Sequence, residues 1–285
     1  MKKTLPTLFI LLFTFVQAQS DDSLTKKQIR KQRPTYLVLT TGLNRSIFRD
    51  LATSPLFYRG VIPSFSIDYA KIDNRREGVF GIYYTSGKHE YKVIPNSDKS
   101  QFYSLTFDYT KLYQIKKWSN EKWNYKIGGK IQLTTNVRIN PILENNGYGY
   151  EEFGNLLFSQ KLTRDISRKT DKNRKLCFIH YSRKPRKREL SCQFNFGLAN
   201  NYVRNGFIYL GQSDVINNFK LFDGYNYGIL KGVRMSSAIN YRLFLKNSNA
   251  IQFSYNWDAL STKGTENRFE MASHKIQCSL LFNLK

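Results

Sequence analysis

The sequence predicts an all-β protein, a transmembrane antiparallel up-and-down β-barrel of about ten strands, with twelve as the alternative. Three observations predict it. Odd positions from Trp123 to Ile139 are apolar or aromatic, apart from Gly129 and Thr135, while the even positions are polar or charged, apart from Gly128. A strand sends alternate side chains to opposite faces, so such a segment separates an apolar medium from a wet one. The same alternation recurs along the chain. The chain also opens with a secretory signal.

Lys2 and Lys3 form the positive region of that signal, and Leu5 through Val16 form its apolar region. Val16 and Ala18 are small enough for the −3 and −1 sites, which places cleavage before Gln19. The apolar run is shorter than the roughly 20 residues a spanning helix needs. Residues 19–34 are polar and basic and end at Pro34, which reads as a flexible periplasmic lead. Residues 35–285 then form one barrel domain. Mean hydropathy of −0.50 does not oppose this reading, because half of every barrel strand is polar. An aromatic content of 15% suits girdles at two membrane interfaces.

Each strand has its own pattern. The first, 35–46, points Leu37, Leu39, Thr41 and Leu43 outward. The second, 61–73, points Val61, Phe65, Ile67 and Tyr69 outward and Ser64, Ser66 and Asp68 inward. The third, 78–93, groups Phe80, Ile82 and Tyr84. The fourth, 101–116, sets Tyr103, Leu105, Phe107, Tyr109 and Tyr113 against Ser104, Thr106, Asp108 and Thr110. The fifth is 123–139. The region 140–188 is ambiguous: 174–183 is taken as the sixth strand, although 153–162 also has strand character. Clean alternation resumes at 189–203, 233–246, 251–261 and 269–284.

Bacterial single-chain barrels have even strand counts, short periplasmic turns and longer external loops. With both termini periplasmic, the short connections Asp73–Glu77, Lys117–Lys122, Lys184–Arg188 and Lys246–Ala250 share one side. The long ones, 47–60, 140–173 and 204–232, share the other. Twelve strands would add 153–162 and 219–231 and move the basic run 183–188 to the cell surface.

Signal peptide, alternating strands, aromatic girdles and an alternating C-terminal strand together make the chain resemble the outer-membrane β-barrel proteins of double-membraned bacteria. The resemblance covers nearly all of the mature chain and implies residence in the outer membrane. It departs from the usual pattern at the end, where Phe282 is displaced from the terminus and the last residue is Lys285.

The chain carries 45 basic and 21 acidic residues, a formal net charge of +24. Such a balance often means nucleic acid, but export removes that partner. Outer-membrane lipid, including its anionic phosphates, and a membrane-protein complex remain as expected partners. Cys177, Cys192 and Cys278 do not form a disulfide framework. No cluster has metal-ligand spacing, and no cofactor is expected.

His180 and Ser182 are a weak catalytic candidate. On a strand they share a face, and a Ser beside a His is a minimal nucleophile and base pair. The spacing resembles the His-x-Ser pair of outer-membrane lipid A deacylases, which have Asn where this chain has Arg183. The expected lumen-lining residues are Lys126, Lys130, Arg138, Arg234, Arg242 and Lys275, with Asp68, Asp108 and Asp258. In a wide barrel this basic excess would select anions. In a barrel of eight to ten strands the same residues fill the lumen as a salt-bridged core. The expected function is non-enzymatic, a structural, interaction or accessory component acting through long external loops. A narrow anion-preferring pore and a lipid hydrolase using His180 and Ser182 are the alternatives.

Overall fold

The computed structural model describes residues 33–93, 96–168, 170, 172–176, 179–183, 185–205, 225–264 and 267–285. The signal peptide, residues 19–32 and Cys177 lie outside the described residues.

The strands are β1 (Thr35–Asp50), β2 (Ser54–Ile72), β3 (Arg76–Val93), β4 (Asn96–Gln114), β5 (Trp123–Ile139), β6 (Tyr148–Asp165), β7 (Lys172–Leu176), β8 (Ile179–Arg183), β9 (Arg188–Asn205), β10 (Tyr225–Gly228), β11 (Val233–Phe244), β12 (Ala250–Ser261) and β13 (Phe269–Asn283). Each wall strand pairs antiparallel with its neighbour, β6 pairs with β9, and β13 pairs with β1, so the sheet closes. Ten strands make the wall, with β10 and β11 occupying one edge of β9 in turn. Leu230 and Gly232, both at positive φ, break that line between them.

The register measures the stagger. A row of paired residues that leaves β1 at Thr35 runs through Lys71, Gly78, Lys111, Gly129, Phe158, Phe196, Met235, Ala259 and Ala272. It returns to β1 at Ile47, twelve residues further on. A ten-strand wall with that shift tilts its strands by about 40° from the barrel axis.

The sixth wall strand corrects the expectation from sequence. It is β6, and 174–183 is not in the wall. Residues 172–176 and 179–183 instead pair with each other in a separate hairpin, within the connection from β6 to β9. The reason is visible in β6 itself. Phe153 and Leu157 are buried inward, while Glu152 and Gln160 face outward, so both faces are mixed and the alternation is blurred. The count stays at ten because this strand replaces the expected one. The external loops are also shorter than expected. Positions 47–60 are mostly strand, with a turn of only 51–53, and 140–173 is largely β6. Residues 206–224, between Asn205 and Tyr225, lie outside the described residues.

The outward faces carry the apolar belt. Leu43, Val61, Phe65, Ile67, Ile131, Phe194, Phe196, Phe253 and Ile276 are all more than half exposed. In water that would be an untenable surface. Facing lipid it is required, because a closed wall satisfies every backbone group internally. Cys192 and Cys278 lie in outward rows as half-buried free thiols. At the end of the barrel where β1 begins and β13 ends, the terminal end, cations sit over outward rings: Lys71 over Tyr69 at 5.4 Å, Lys111 over Tyr113 at 5.9 Å and Arg164 over Trp123 at 5.0 Å. Such stems lie on the apolar surface while the charged heads reach the interface.

Candidate functional site: the polar lumen

The inward faces meet inside the barrel at three levels. Furthest from the termini is an aromatic plug. Phe48, Tyr58, Ile62, Tyr91, Phe102, Phe153 and Phe269 are buried together there. Phe48 stacks on Tyr58 with centroids 4.8 Å apart and planes at 1°. Phe102, 5.7 Å away, and Phe269, 6.1 Å away, flank Phe48. Offset rings in this range gain more than their buried area alone provides.

A charged layer sits against the same rings. Arg138 donates to both Asp50 and Glu151, and Arg204 donates to Asp50 and to the backbone oxygen of Asn267. Asp50 also accepts from Ala52 N at 3.1 Å and Thr53 Oγ1 at 2.5 Å. The guanidinium of Arg138 lies 5.2 Å over Phe48 and 5.4 Å over Phe269. Arg204 and Glu151 are fully buried. Burial of charges on this scale is tolerable only because each is paired and hydrogen-bonded.

The middle level is a polar chamber of about 240 Å³. Lys130 pairs with Asp108 at 2.7 Å, and Arg234 pairs with Asp258 at 2.7 Å. Arg234 also donates to Thr134 Oγ1 at 3.0 Å and Asn155 Oδ1 at 2.9 Å, so its side chain crosses the lumen from β11 to β5 and β6. Asp68 accepts from Ser66 Oγ at 3.1 Å. Asp68, Gly81 and Asp108 occupy one register row on β2, β3 and β4. A Cβ at Gly81 would press on Asp68 Oδ1 and lie 2.7 Å from the Tyr83 ring, so both side chains would have to shift. Lys275 lines this chamber, and Arg242 reaches its lower margin.

Nearest the termini, Glu77 is held by Lys161 at 2.5 Å and Lys126 at 3.4 Å, all three buried. Arg242 lies 3.6 Å from Glu189. Tyr36, Val38, Ala70, Ala250 and Leu281 form an apolar cluster beside them.

All nine expected lumen residues are inward. The basic excess is much smaller than the sequence suggests, however. Asp50, Glu77, Glu151 and Glu189 oppose the cations, and sequence reasoning missed these carboxylates together with Lys161 and Arg204. Their positions had been assigned to turns, loops or strand ends without a facing. Continuing the inward parity of β1 from Asn44 and Ser46 through Phe48 would have reached Asp50.

The expected His180 and Ser182 pair lies in β8, in register with Lys175 and Asn173 of β7 and outside the barrel wall. Their side chains lie outside the described residues. A different Ser and His pair is joined inside the barrel: Ser46 Oγ and His89 Nε2 are 2.7 Å apart. His89 is wedged edge-on between Phe48 and Phe102, and its Nδ1 has no partner. A base needs a third group to orient it and a path for substrate, and this pair has neither, so it is a core hydrogen bond. Among the described residues, no group of three or more His, Cys, Asp or Glu could hold a metal ion.

The closed register and lipophilic exterior decide the architecture. This is a ten-stranded barrel of the outer-membrane kind. No protein-family model matches the chain, and no curated protein sequence matches it. Structural matches to outer-membrane barrels extend over most of the chain but are distant. The chain is similar to the β domain of the Bordetella autotransporter BrkA, at 7% identity over 89% of this chain and 100% of that one, with a TM-score of 0.35. It is similar to a mutant of the TodX monoaromatic hydrocarbon channel, at 8% identity over 88% of this chain and 91% of that one, with a TM-score of 0.33. Ail, the attachment invasion locus protein of Yersinia pestis, matches at 9% identity over 88% and 99%, with a TM-score of 0.29. The fold assignment rests on the pairing register and not on these scores.

Proposed function

We propose that the protein is exported through a signal peptide cleaved before Gln19 and inserts in the outer membrane as a sealed, non-enzymatic scaffold. Its working surface is the end of the barrel opposite the termini, where residues 206–224 connect β9 to β10. One observation carries this reading: buried side chains meet across the lumen near both ends, Arg138 and Arg204 with the Phe48 cluster at one and the Glu77 ion group at the other. A narrow anion pore is disfavoured because most of the inward cations are paired with carboxylates. A hydrolase using His180 and Ser182 is disfavoured because that pair belongs to a connection outside the wall.

The test is reconstitution of the mature protein in a planar bilayer, with insertion checked by protease protection. A scaffold inserts and stays electrically silent, and in mild detergent it co-purifies with other outer-membrane proteins. Steady anion-selective conductance from the wild type would replace this reading with the pore. Esterase or amidase activity that disappears on Ser182→Ala would replace it with the hydrolase.

A further inference from the structure

Three cations gather on the outward face of β1, β2 and β3, at the end of the belt remote from the termini. Arg45 is opposite Val61, and Arg59 is opposite Ile47 on one side and Glu90 on the other. Lys88 lies two residues before Glu90 and shares its face. All three side chains are exposed. Directly below them the surface is apolar: Leu43 is 59% exposed, Val61 63% and Phe65 53%. The acids at this level are already engaged. Glu90 pairs with Lys99 at 3.3 Å. Glu270 pairs with Arg49 at 2.7 Å and Arg268 at 3.1 Å. Arg45, Arg59 and Lys88 make no ion pair with any other described residue, so the charge of the patch is not balanced within the wall.

We infer that Arg45, Arg59 and Lys88 form a binding site for the phosphorylated headgroup of an outer-leaflet glycolipid, whose acyl chains lie on Leu43, Val61 and Phe65. The inference rests on the outer-membrane placement proposed above. Each part of the ligand has its complement. The apolar belt of such a barrel is about 25 Å tall, and the patch begins where that belt ends, at headgroup level. Guanidinium groups bind phosphate oxygens through paired N–H donors, and the Lys ammonium adds a compact charge. Neighbouring outward positions add no unpaired cation: Lys99 on β4 is paired with Glu90, and Gln101, Tyr103 and Glu152 on β4 and β6 are neutral or acidic. The site is therefore a local feature of three strands and not a uniform basic ring. A soluble anion would need only the cations. The exposed aliphatic and aromatic floor beneath them calls for an amphiphile.

The experiment measures binding of bis-phosphorylated lipid A to the refolded full-length protein in detergent micelles, by mass spectrometry of the released complexes. Each cation near a charged lipid headgroup contributes about a fivefold effect on binding. The triple variant Arg45→Ala/Arg59→Ala/Lys88→Ala is expected to bind about a hundredfold more weakly than wild type. Lys71→Ala/Lys111→Ala/Arg164→Ala, at the opposite interface, is expected to bind like wild type. Lipid A with both phosphates removed should bind wild type as weakly as bis-phosphorylated lipid A binds the first triple. Inorganic phosphate in millimolar excess should not displace the lipid. Heat-modifiable mobility in gels verifies that each variant is folded, and Arg59→Lys, which keeps the charge, should retain most of the binding. Equal loss in both triples, or equal binding of the dephosphorylated lipid, overturns the site. Failure of the wild type to insert into vesicles overturns the membrane placement itself, whereas insertion with phosphate-insensitive binding overturns only this inference.

Discussion

Arg204 on β9 donates to Asp50 on β1, joining two strands that are not neighbours in the wall. With Arg138 on β5 bound to the same carboxylate, this contact ties three separate parts of the barrel across its mouth. The apolar belt suits a lipid surrounding. Ties of this kind brace the wall from within.

Asp50→Asn leaves two buried guanidinium groups short of a counter-charge. Removing one partner of a buried ion pair costs about 3–5 kcal/mol. The variant should unfold at a clearly lower urea concentration than wild type in lipid vesicles. Equal unfolding midpoints would mean that the network contributes nothing to stability.

The aromatic plug predicts a packing cost. Phe48 touches Tyr58, Phe102, Phe269 and His89, so Phe48→Ala should destabilise the folded barrel by about 3–5 kcal/mol. Phe65→Ala, on the lipid face, leaves no cavity in the lumen and should cost less. Chemical unfolding of the two variants side by side checks the ranking, and a larger loss for Phe65→Ala would reverse the assignment of the core.

Facing predicts a contrast between adjacent residues. Leu133 is 40% exposed on the outward face of β5, and Gln132 is 7% exposed in the lumen opposite Asp108. Arg on the lipid face near the bilayer midplane costs about 2–4 kcal/mol. Leu133→Arg should reduce the folded fraction in vesicles, while Gln132→Arg, beside a carboxylate, should be tolerated better. Equal loss for both would contradict the register.

Topology predicts labelling. In a background with Cys177, Cys192 and Cys278 replaced by Ser, Lys263→Cys lies between β12 and β13, at the end remote from the termini. Lys246→Cys lies between β11 and β12, at the terminal end. A membrane-impermeant thiol reagent on intact cells should label the first and not the second. The opposite pattern would place the termini outside the cell.

Much of the wall was legible because the lipid boundary imposes a period of two. Residues such as Phe65, Tyr109, Leu133 and Ile276 fall outward as that pattern requires. The pattern fails where the inside is also apolar. Phe48, Phe102 and Phe153 point into the lumen, and the last of these hid β6 and sent the sixth strand to the wrong segment. It also fails at strand ends, where Asp50 and Glu77 looked like turn residues although they are the carboxylates that neutralise the lumen.

The sequence by itself determined a closed barrel of about ten strands, the place of nine of them and the outward face of most. A single strand in lipid has only two faces, and its own residues declare which one is greasy. Only the tertiary structure decided which side chains fill the lumen. That outcome depends on which inward side chains meet across the barrel, and those meetings are set by the stagger that carries Thr35 round the wall to Ile47. Arg204 and Asp50 are separated by 154 positions in the chain, and no local pattern in either segment encodes their contact.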